Sequence, residues 1–377
     1  MITIEKIDTK NKKKVNEFVK FQYDLYKGTP QFCPPFIGDI KLMLNRDKHP
    51  FYEHSDADFF VARDEKGKML GRISVMENRP FNEYHKTKKV QFYLFDCVDD
   101  QEVAAKLFEA ATEWAKERGL NEIVGPKGFS AFDGYGILVE GFEHHQMMTM
   151  MNYNFPYYAK LVENLGFEKE VDFVSCYLAK ENFVLSEKVR KVSEIAQKRG
   201  SFTVKHFKNK RELMKYADAI GEAYNNTFVN NWEYYPLTKG EIDLLLDNLL
   251  VVADPKLVKI IMHEEKIVGF LLAFPDITSA LQRHGGRITP ASALDMMHSL
   301  KTTKWVAVNG AGVLPEFHGL GGNAILYTEM ENAIKDFGFE HIEMTQVAET
   351  AQQMRKDLIN LGGQPYKNHR IFHKSLQ

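Results

Sequence analysis

At 377 residues, with 44% hydrophobic and 27% charged residues, the chain has the composition of a soluble globular protein of about two domains. Its 49 basic and 51 acidic residues leave a formal net charge of −2, so no basic field recruits nucleic acid. No apolar run approaches the ~20 residues of a membrane span. The first stretch, MITIEKIDTKNKKK, lacks a signal peptide's apolar core, and Cys33, Cys97 and Cys176 are too few and scattered for a disulfide framework or metal cluster. A metal-free protein of the reducing cytoplasm is expected.

In chain order, the first strong pattern is 59-FFVARDEKGKMLGRISV-75, two strand-like runs joined by a turn. Asp99 and Glu102 then stand at capping-box spacing before a helix whose apolar face is Val103, Leu107, Ala111 and Trp114. That helix ends at Gly119, suited to a left-handed C-terminal cap, and passes into a strand. The triplet Glu143-His144-His145 has no third ligand nearby and reads as loop, and 147-MMTMM-151 as a buried strand. Asn154, Tyr157 and Tyr158 surround the start of a helix near Pro156 that closes at 164-NLGF-167. Val189, Val192 and Ile195 mark a helix within a linker, 181–204.

The pattern then repeats. The run 258-VKIIMHEEKIVGFLLAF-274 is a second hairpin, with Gly269 matching Gly71. The strand 305-WVAVNGAGVLP-315 leads through 318-HGLGGN-323 to a helix with Leu326, Met330, Ala333 and Phe337 on one face. Gly338 closes it as Gly119 closes the first, a strand bearing Glu343 follows, and 360-NLGG-363 ends the last helix. Gly71 to Gly119 spans 48 residues and Gly269 to Gly338 spans 69, the excess falling in 275–304. Conversely Gly119 to Gly166 spans 47 and Gly338 to Gly362 spans 24, the excess falling in 125–148. The expectation is an α/β (α+β) protein of two like units, 1–180 and 205–377, joined by the 181–204 helix. Each is a mixed, mostly antiparallel sheet flanked by helices.

The glycines of 318–323 let successive backbone N–H groups converge on a phosphate, at a helix N-terminus of favourable polarity. On these residues the second half resembles the GCN5-related N-acetyltransferase (GNAT) family, whose acyl-CoA loop reads Q/R-x-x-G-x-G/A after the fourth strand. His318 and Asn323 depart from that pattern. The resemblance implies an acetyl-CoA or longer acyl-CoA site at Val313, His318, Gly319, Leu320, Gly321, Gly322 and Asn323. With the loop expected at the surface, Gly321→Val should weaken CoA binding far more than the fold. In the first half, a carboxylate of Asp99 would occupy the phosphate's place, so no CoA diphosphate is expected there.

Segments such as 50-PFYEHSDADFFVA, 136-GILVEGF and 152-NYNFPYY extend the resemblance to bacterial tandem-GNAT proteins of this length. Some of their relatives are regarded as ceramide synthases, which move a long acyl chain from a thioester to a sphingoid amine. The resemblance implies an acyl-CoA-dependent N-acyltransferase acting on a primary amine, without nucleic acid, and leaves peripheral membrane contact open. N–H groups of Val313 and Leu314 are expected at the oxyanion, and His284, Glu343 or Tyr158 as base. Asn154, Tyr157, Tyr158, Asp276 and Arg287 are expected to face the acceptor, with 275–304 as a lid. Leu358 stands where many relatives carry a tyrosine acid. Two rival readings are a non-catalytic acyl-CoA-binding protein and a Fem-type aminoacyl transferase. The near-neutral charge and the glycine loop speak against the second.

Overall fold

The computed structural model describes all residues except 131, 132, 149, 150, 200, 201, 230 and 377. The run 147–151 and the end of the 181–204 segment therefore lie partly outside the described residues. The chain forms, in order, β1 (Thr3–Lys6), α1 (Lys12–Leu25), α2 (Ile37–Met43), β2 (Asp56–Arg63), β3 (Met69–Glu77), α3 (Arg79–His85), β4 (Lys89–Cys97), α4 (Gln101–Glu117), β5 (Glu122–Gly125), β6 (Ile137–Glu140), α5 (Tyr157–Glu163) and β7 (Glu168–Ala179). There follow α6 (Glu187–Lys198), β8 (Thr203–Lys205), α7 (Lys210–Met214), α8 (Ala217–Thr227), α9 (Lys239–Val252), β9 (Val258–His263), β10 (Lys266–Pro275), α10 (Thr278–His284) and α11 (Pro290–Thr302). The chain closes with β11 (Trp305–Val313), α12 (Gly322–Phe337), β12 (His341–Ala348), α13 (Gln352–Asn360) and β13 (Gln364–Ser375).

Two compact units result, but neither is one stretch of chain. The first holds Met1–Phe173, Thr278–Met296 and Lys367–Gln377; the second holds Val174–Ile277 and Met297–Tyr366. The first unit runs β1-β2-β3-β4-β5, antiparallel except for parallel β4/β5, and Phe372–Ser375 of the last strand pairs beside β5. The second runs β8-β9-β10-β11-β12, with only β11/β12 parallel, and β7 takes the place beside β12. The contiguous boundaries 1–180 and 205–377 differ from this arrangement because hydrophobic periodicity marks a strand without naming its neighbour.

Two further expectations change. Part of the 275–304 segment is built into the first unit: Gln282 Nε2 donates to the carbonyls of Pro30 (2.8 Å) and Phe32 (2.9 Å), and Ile37 N to that of Gly286 (3.0 Å). The supposed linker helix α6 is a packed member of the second unit, where Arg190 Nη2 bonds Glu331 Oε1 on α12 at 2.7 Å and Ala196 is buried.

The repeat is visible in the ladders. Gly71 pairs with Cys97 and Gly269 with Val313. Side chains fit neither glycine: a Cβ on Gly71 would lie 2.8 Å from that of Cys97, and one on Gly269 3.0 Å from the Gly312 carbonyl. Three residues before each partner the strand bulges, at Leu94 (φ 47°) in β4 and Gly310 (φ 127°) in β11.

The segment closing the first unit carries a pH-dependent group. His369 is 1% exposed, its Nε2 lies 3.0 Å from the Asn152 carbonyl, and burial lowers its pKa from 6.5 to about 4. A histidine depressed on folding stays neutral in the native state while the unfolded chain takes up a proton. Its contribution is complete above pH 6.5 and is lost as pH falls toward 4, about 2 kcal/mol by pH 5. Burial raises Asp39 and Asp133 to about 6, which works in the opposite direction between pH 3.8 and 6. Urea unfolding of His369→Gln at pH 7 and pH 5 should show a smaller acid loss than the parent by about that amount. An unchanged difference would deny His369 the role.

Candidate active site

The 16-residue helix α12 begins without a side-chain cap. Its N-cap, Gly321, has φ 98°, and Gly319 has φ 76°, left-handed values that turn the chain from Pro315–Phe317 into the helix. His318 Nε2 donates to the Val313 carbonyl (2.8 Å) and holds the loop against the end of β11. Leu320 is exposed, as is Asn323 in the helix's first turn. In front of this turn opens a cavity of about 540 Å³, lined by Ala311, Gly312 and Val313 of β11, Thr227 and Phe228 at the end of α8, and Met354 and Asp357 of α13. Backbone N–H groups of the helix start thus face a groove running along a strand with two small residues and a glycine bulge. That arrangement suits a phosphate attached to a slender arm.

The first unit fills the same places differently. Aligned on the Gly71–Cys97 and Gly269–Val313 pairs, Leu94, Phe95 and Asp96 of β4 stand where β11 has Gly310, Ala311 and Gly312. The helix start is capped too. Asp100 Oδ1 accepts from Glu102 N (2.8 Å) and Val103 N (3.4 Å), so the capping carboxylate is Asp100 and not Asp99. A cap one residue later than the capping-box spacing suggests is a shift that sequence spacing alone does not resolve. Arg72 Nε bonds Asp96 at 2.8 Å in the interior. β4 still borders a smaller cavity of about 170 Å³, lined by Tyr93 to Asp96 together with Asn154 and Tyr158.

The residues singled out for catalysis fare unequally. Leu314 N donates to the Val268 carbonyl at 2.8 Å, so that N–H is unavailable to an oxyanion. Val313 lines the cavity. Tyr158 is 1% exposed, with its hydroxyl 2.9 Å from that of Tyr26 and 3.2 Å from Cys97 N. Burial holds its pKa well above 10, so it keeps its proton and cannot act as a base at neutral pH. Asn154 bridges β6 through Leu138 N (2.7 Å) and O (3.0 Å), and the Tyr157 hydroxyl donates to the Cys97 carbonyl (2.8 Å). Tyr157 thereby braces the first unit, whereas Asn154 also lines, with Tyr158, its cavity of about 170 Å³. His284 Nε2 lies 3.0 Å from Asp295 Oδ2, and Arg287 is exposed on the same segment of the first unit. Asp276 belongs to the second unit, where its N–H bonds the Trp305 carbonyl (3.0 Å).

Glu343 is fully buried on β12, and the Tyr366 hydroxyl donates to its Oε2. Burial and this carboxylate raise the Tyr366 pKa far above 10, so the phenol remains a donor. Leu358 is core, whereas the Tyr327 hydroxyl reaches Asp357 Oδ2 at 2.8 Å beside the cavity. Sequence reading missed Tyr327 and Asp357, because one lies on α12 and the other on α13 with no shared motif. The Glu143-His144-His145 triplet pairs internally, His144 Nε2 lying 3.3 Å from Glu143. Among the described residues, Glu122, Glu170 and His373 could converge on a metal ion, but Lys89 Nζ lies 3.4 Å from Glu122 and 3.8 Å from Glu170. An ammonium already balances those carboxylates, which argues against a cation there.

The fold and the glycine loop define a class: the chain has the tandem GNAT fold. It is similar along its whole length to a tandem GNAT protein from the clavulanic acid biosynthesis pathway (TM-score 0.57, 11% identity, 99% of that chain). It is likewise similar to a GCN5-related N-acetyltransferase from Sphaerobacter thermophilus (TM-score 0.51, 11% identity, 96% of that chain). Identities this low show the fold alone. Among curated proteins, Protein YghO of Escherichia coli (strain K12) is 25% identical over 372 residues, covering 97% of this chain and 94% of that one. The bacterial ceramide synthase of Caulobacter vibrioides is 26% identical over 379 positions, covering 98% of this chain and 97% of its own. No protein-family model matches the chain. No helix among the described residues is long and apolar enough to cross a membrane.

Proposed function

We propose that the protein is an acyl-CoA-dependent N-acyltransferase whose donor binds in the second unit and whose acceptor is a primary amine. The observation that carries this reading is the uncapped start of α12, entered through Gly319 and Gly321 and opening on a groove along β11. The loop would hold the CoA diphosphate on backbone N–H groups, and Ala311–Val313 would flank the pantetheine arm. The name of the Caulobacter relative extends the proposal to a long-chain, sphingoid-type amine.

Glu343 is the base we assign. It is the only carboxylate among the sequence candidates that lies on the strand parting from β11, and Tyr366 orients it. The amine adds to the thioester carbon, Glu343 takes its proton, and CoA departs as thiolate. A thiol titrates near ~8.5, so its departure needs no acid, and a leucine at position 358 is no obstacle. That removes the main ground for a non-catalytic acyl-CoA-binding protein.

The test combines acetyl-CoA or palmitoyl-CoA with ethanolamine or sphinganine, following thiol release and amide mass. Amide from at least one pair is expected; none from any pair, with no thiol release above background, refutes the proposal. Glu343→Gln should lower kcat about 10²- to 10⁴-fold and leave the CoA Kd within a factor of two or so. Parental kcat in that variant would remove Glu343 from the reaction.

A further inference from the structure

The strands β11 and β12 are paired from Trp305–His341 to Val308–Met344 and then part. Both backbones turn aside just beyond, at Gly310 (φ 127°) and Gln346 (φ 47°). Asn309 and Thr345 are the first residues past the last pair. In a parallel ladder, register mates point to the same side. Since Ala307 pairs with Glu343, Asn309 and Thr345 fall on the face of Glu343, opposite the α12-side core of Val306, Ile342 and Met344.

Both side chains are more than nine-tenths buried, at 8% and 7% exposure. Yet Asn309 Nδ2 and Thr345 Oγ1 have no hydrogen-bond partner. Buried polar atoms normally find partners, and two unmatched donors at one point of divergence call for an explanation. The first unit shows what the position looks like without them. By the same alignment its β4 carries Tyr93, whose hydroxyl accepts from Gly134 N (3.1 Å), and β5 is followed by Pro126, which has no donor.

We propose that Asn309 and Thr345 form the oxyanion site of the acyl transfer, donating from Nδ2–H and Oγ–H to the thioester carbonyl oxygen. This rests on the acyltransferase reading above and replaces the Leu314 amide, which already serves Val268. Distance along the strand agrees with it. Asn309 lies four residues from Val313, about 13 Å at 3.3 Å per residue, on the same strand whose residues 311–313 line the cavity. An arm anchored at the glycine loop and laid along β11 delivers its acyl end toward Asn309.

The chemistry balances. The amine nitrogen forms a bond to the carbonyl carbon, and the carbonyl π pair moves onto oxygen, where Asn309 and Thr345 hold the charge. Glu343 takes the proton from nitrogen. Collapse restores the carbonyl and breaks the carbon–sulfur bond; CoA leaves as thiolate and is protonated by solvent, to which Glu343 returns its proton. Donors placed at a developing oxyanion act on the electrophile whatever the nucleophile is.

That property separates this role from acceptor binding. Thr345→Val and Asn309→Leu, close in size to the parent side chains, should each lower both aminolysis and hydrolysis of octanoyl-CoA by about 100-fold. KM for the amine and Kd for CoA should stay near parental, and the melting temperature should not fall, because no existing hydrogen bond is removed. Thr345→Ser should recover most of the rate. Independently of turnover, isotope-edited infrared of [1-13C]octanoyl-CoA should show a carbonyl stretch lower in the bound parent than in bound Thr345→Val. Loss of aminolysis alone would overturn the inference in favour of acceptor binding. Identical carbonyl frequencies with parental rates would leave both residues as packing. If octanoyl-CoA does not bind the parent at all, the acyltransferase reading fails and this inference with it. Binding with equal frequencies overturns the inference alone.

Discussion

Arg72→Met is expected to destabilise the protein by about 3–5 kcal/mol, lowering the urea midpoint by about 1–2 M. Arg72 is 0% exposed and is held on three sides. Its Nε and Nη2 lie 2.8 and 2.7 Å from Asp96 Oδ2, its Nη1 donates to the Phe18 carbonyl at 2.9 Å, and its guanidinium stacks 5.0 Å from the Phe18 ring. Removing the cation leaves the Asp96 carboxylate in the interior with only the Tyr26 hydroxyl, at 3.1 Å, to satisfy it. An uncompensated buried charge costs more than the pair contributed, which sets the size of the effect. The double variant Arg72→Met/Asp96→Leu removes both charges and should recover most of the loss. Tyr158→Phe, which deletes one hydroxyl from the same network, should cost about 1–2 kcal/mol. Circular-dichroism unfolding of the four proteins settles it. A loss below 1 kcal/mol for Arg72→Met, or no recovery in the double variant, would mean that the ion pair does not organise this interior.

That network also shows how a repeat diverges. Asp96 occupies the register of Gly312, and Arg72 that of Phe270, so the first unit has a buried ion pair where the second has a glycine lining its groove. The sequence made the repeat itself legible, since matched glycines at 71 and 269, and at 119 and 338, recur for steric reasons local to each strand or helix end. Gly119 and Gly338 both adopt left-handed φ, 69° and 67°. The glycine loop was legible for the same reason: positive φ at 319 and 321 excludes most other residues. Exchange of closing strands was not legible, because β7 and β13 carry the same alternation whichever neighbour they take. Nor was the fate of Leu314, whose N–H is consumed by a carbonyl 46 positions earlier. Asn309 and Thr345 escaped notice because a polar residue within an apolar strand declares nothing until its partners can be counted. Tyr158 was legible only in part: it lines a cavity of the first unit, while its hydroxyl is held by Tyr26 and the Cys97 amide and keeps its proton.

The sharpest test of the CoA site is a substitution whose effects on fold and on ligand have opposite signs. Gly321→Val cannot serve, contrary to the expectation from sequence. A Cβ there would lie 2.9 Å from that of Ala196 and 3.3 Å from Val192 Cγ1, and φ is 98°, so the variant strains the packing of α6 on α12 as well as the loop. Asn323 is free of this problem, being exposed in the first turn of α12 and lining the cavity. Asn323→Asp places a carboxylate where the helix polarity favours one, adding about 0.3–1 kcal/mol to stability. The same carboxylate opposes a bound diphosphate. Two unit charges ~4 Å apart repel by about 1 kcal/mol in water and about 4 kcal/mol near a protein surface, so CoA affinity should fall roughly 10- to 100-fold at low salt. Because the site is open, the loss should shrink as ionic strength rises past 0.15 M, where the screening length is about 8 Å. Asn323→Ala, which changes no charge, should weaken CoA only a few-fold. Calorimetric titration of CoA at two salt concentrations, with melting curves of the unliganded proteins, reads every one of these quantities. If Asn323→Asp binds CoA as the parent does, the diphosphate does not sit at this helix start. The glycine turn would then be a structural corner, and the acyltransferase proposal would lose the observation that carries it.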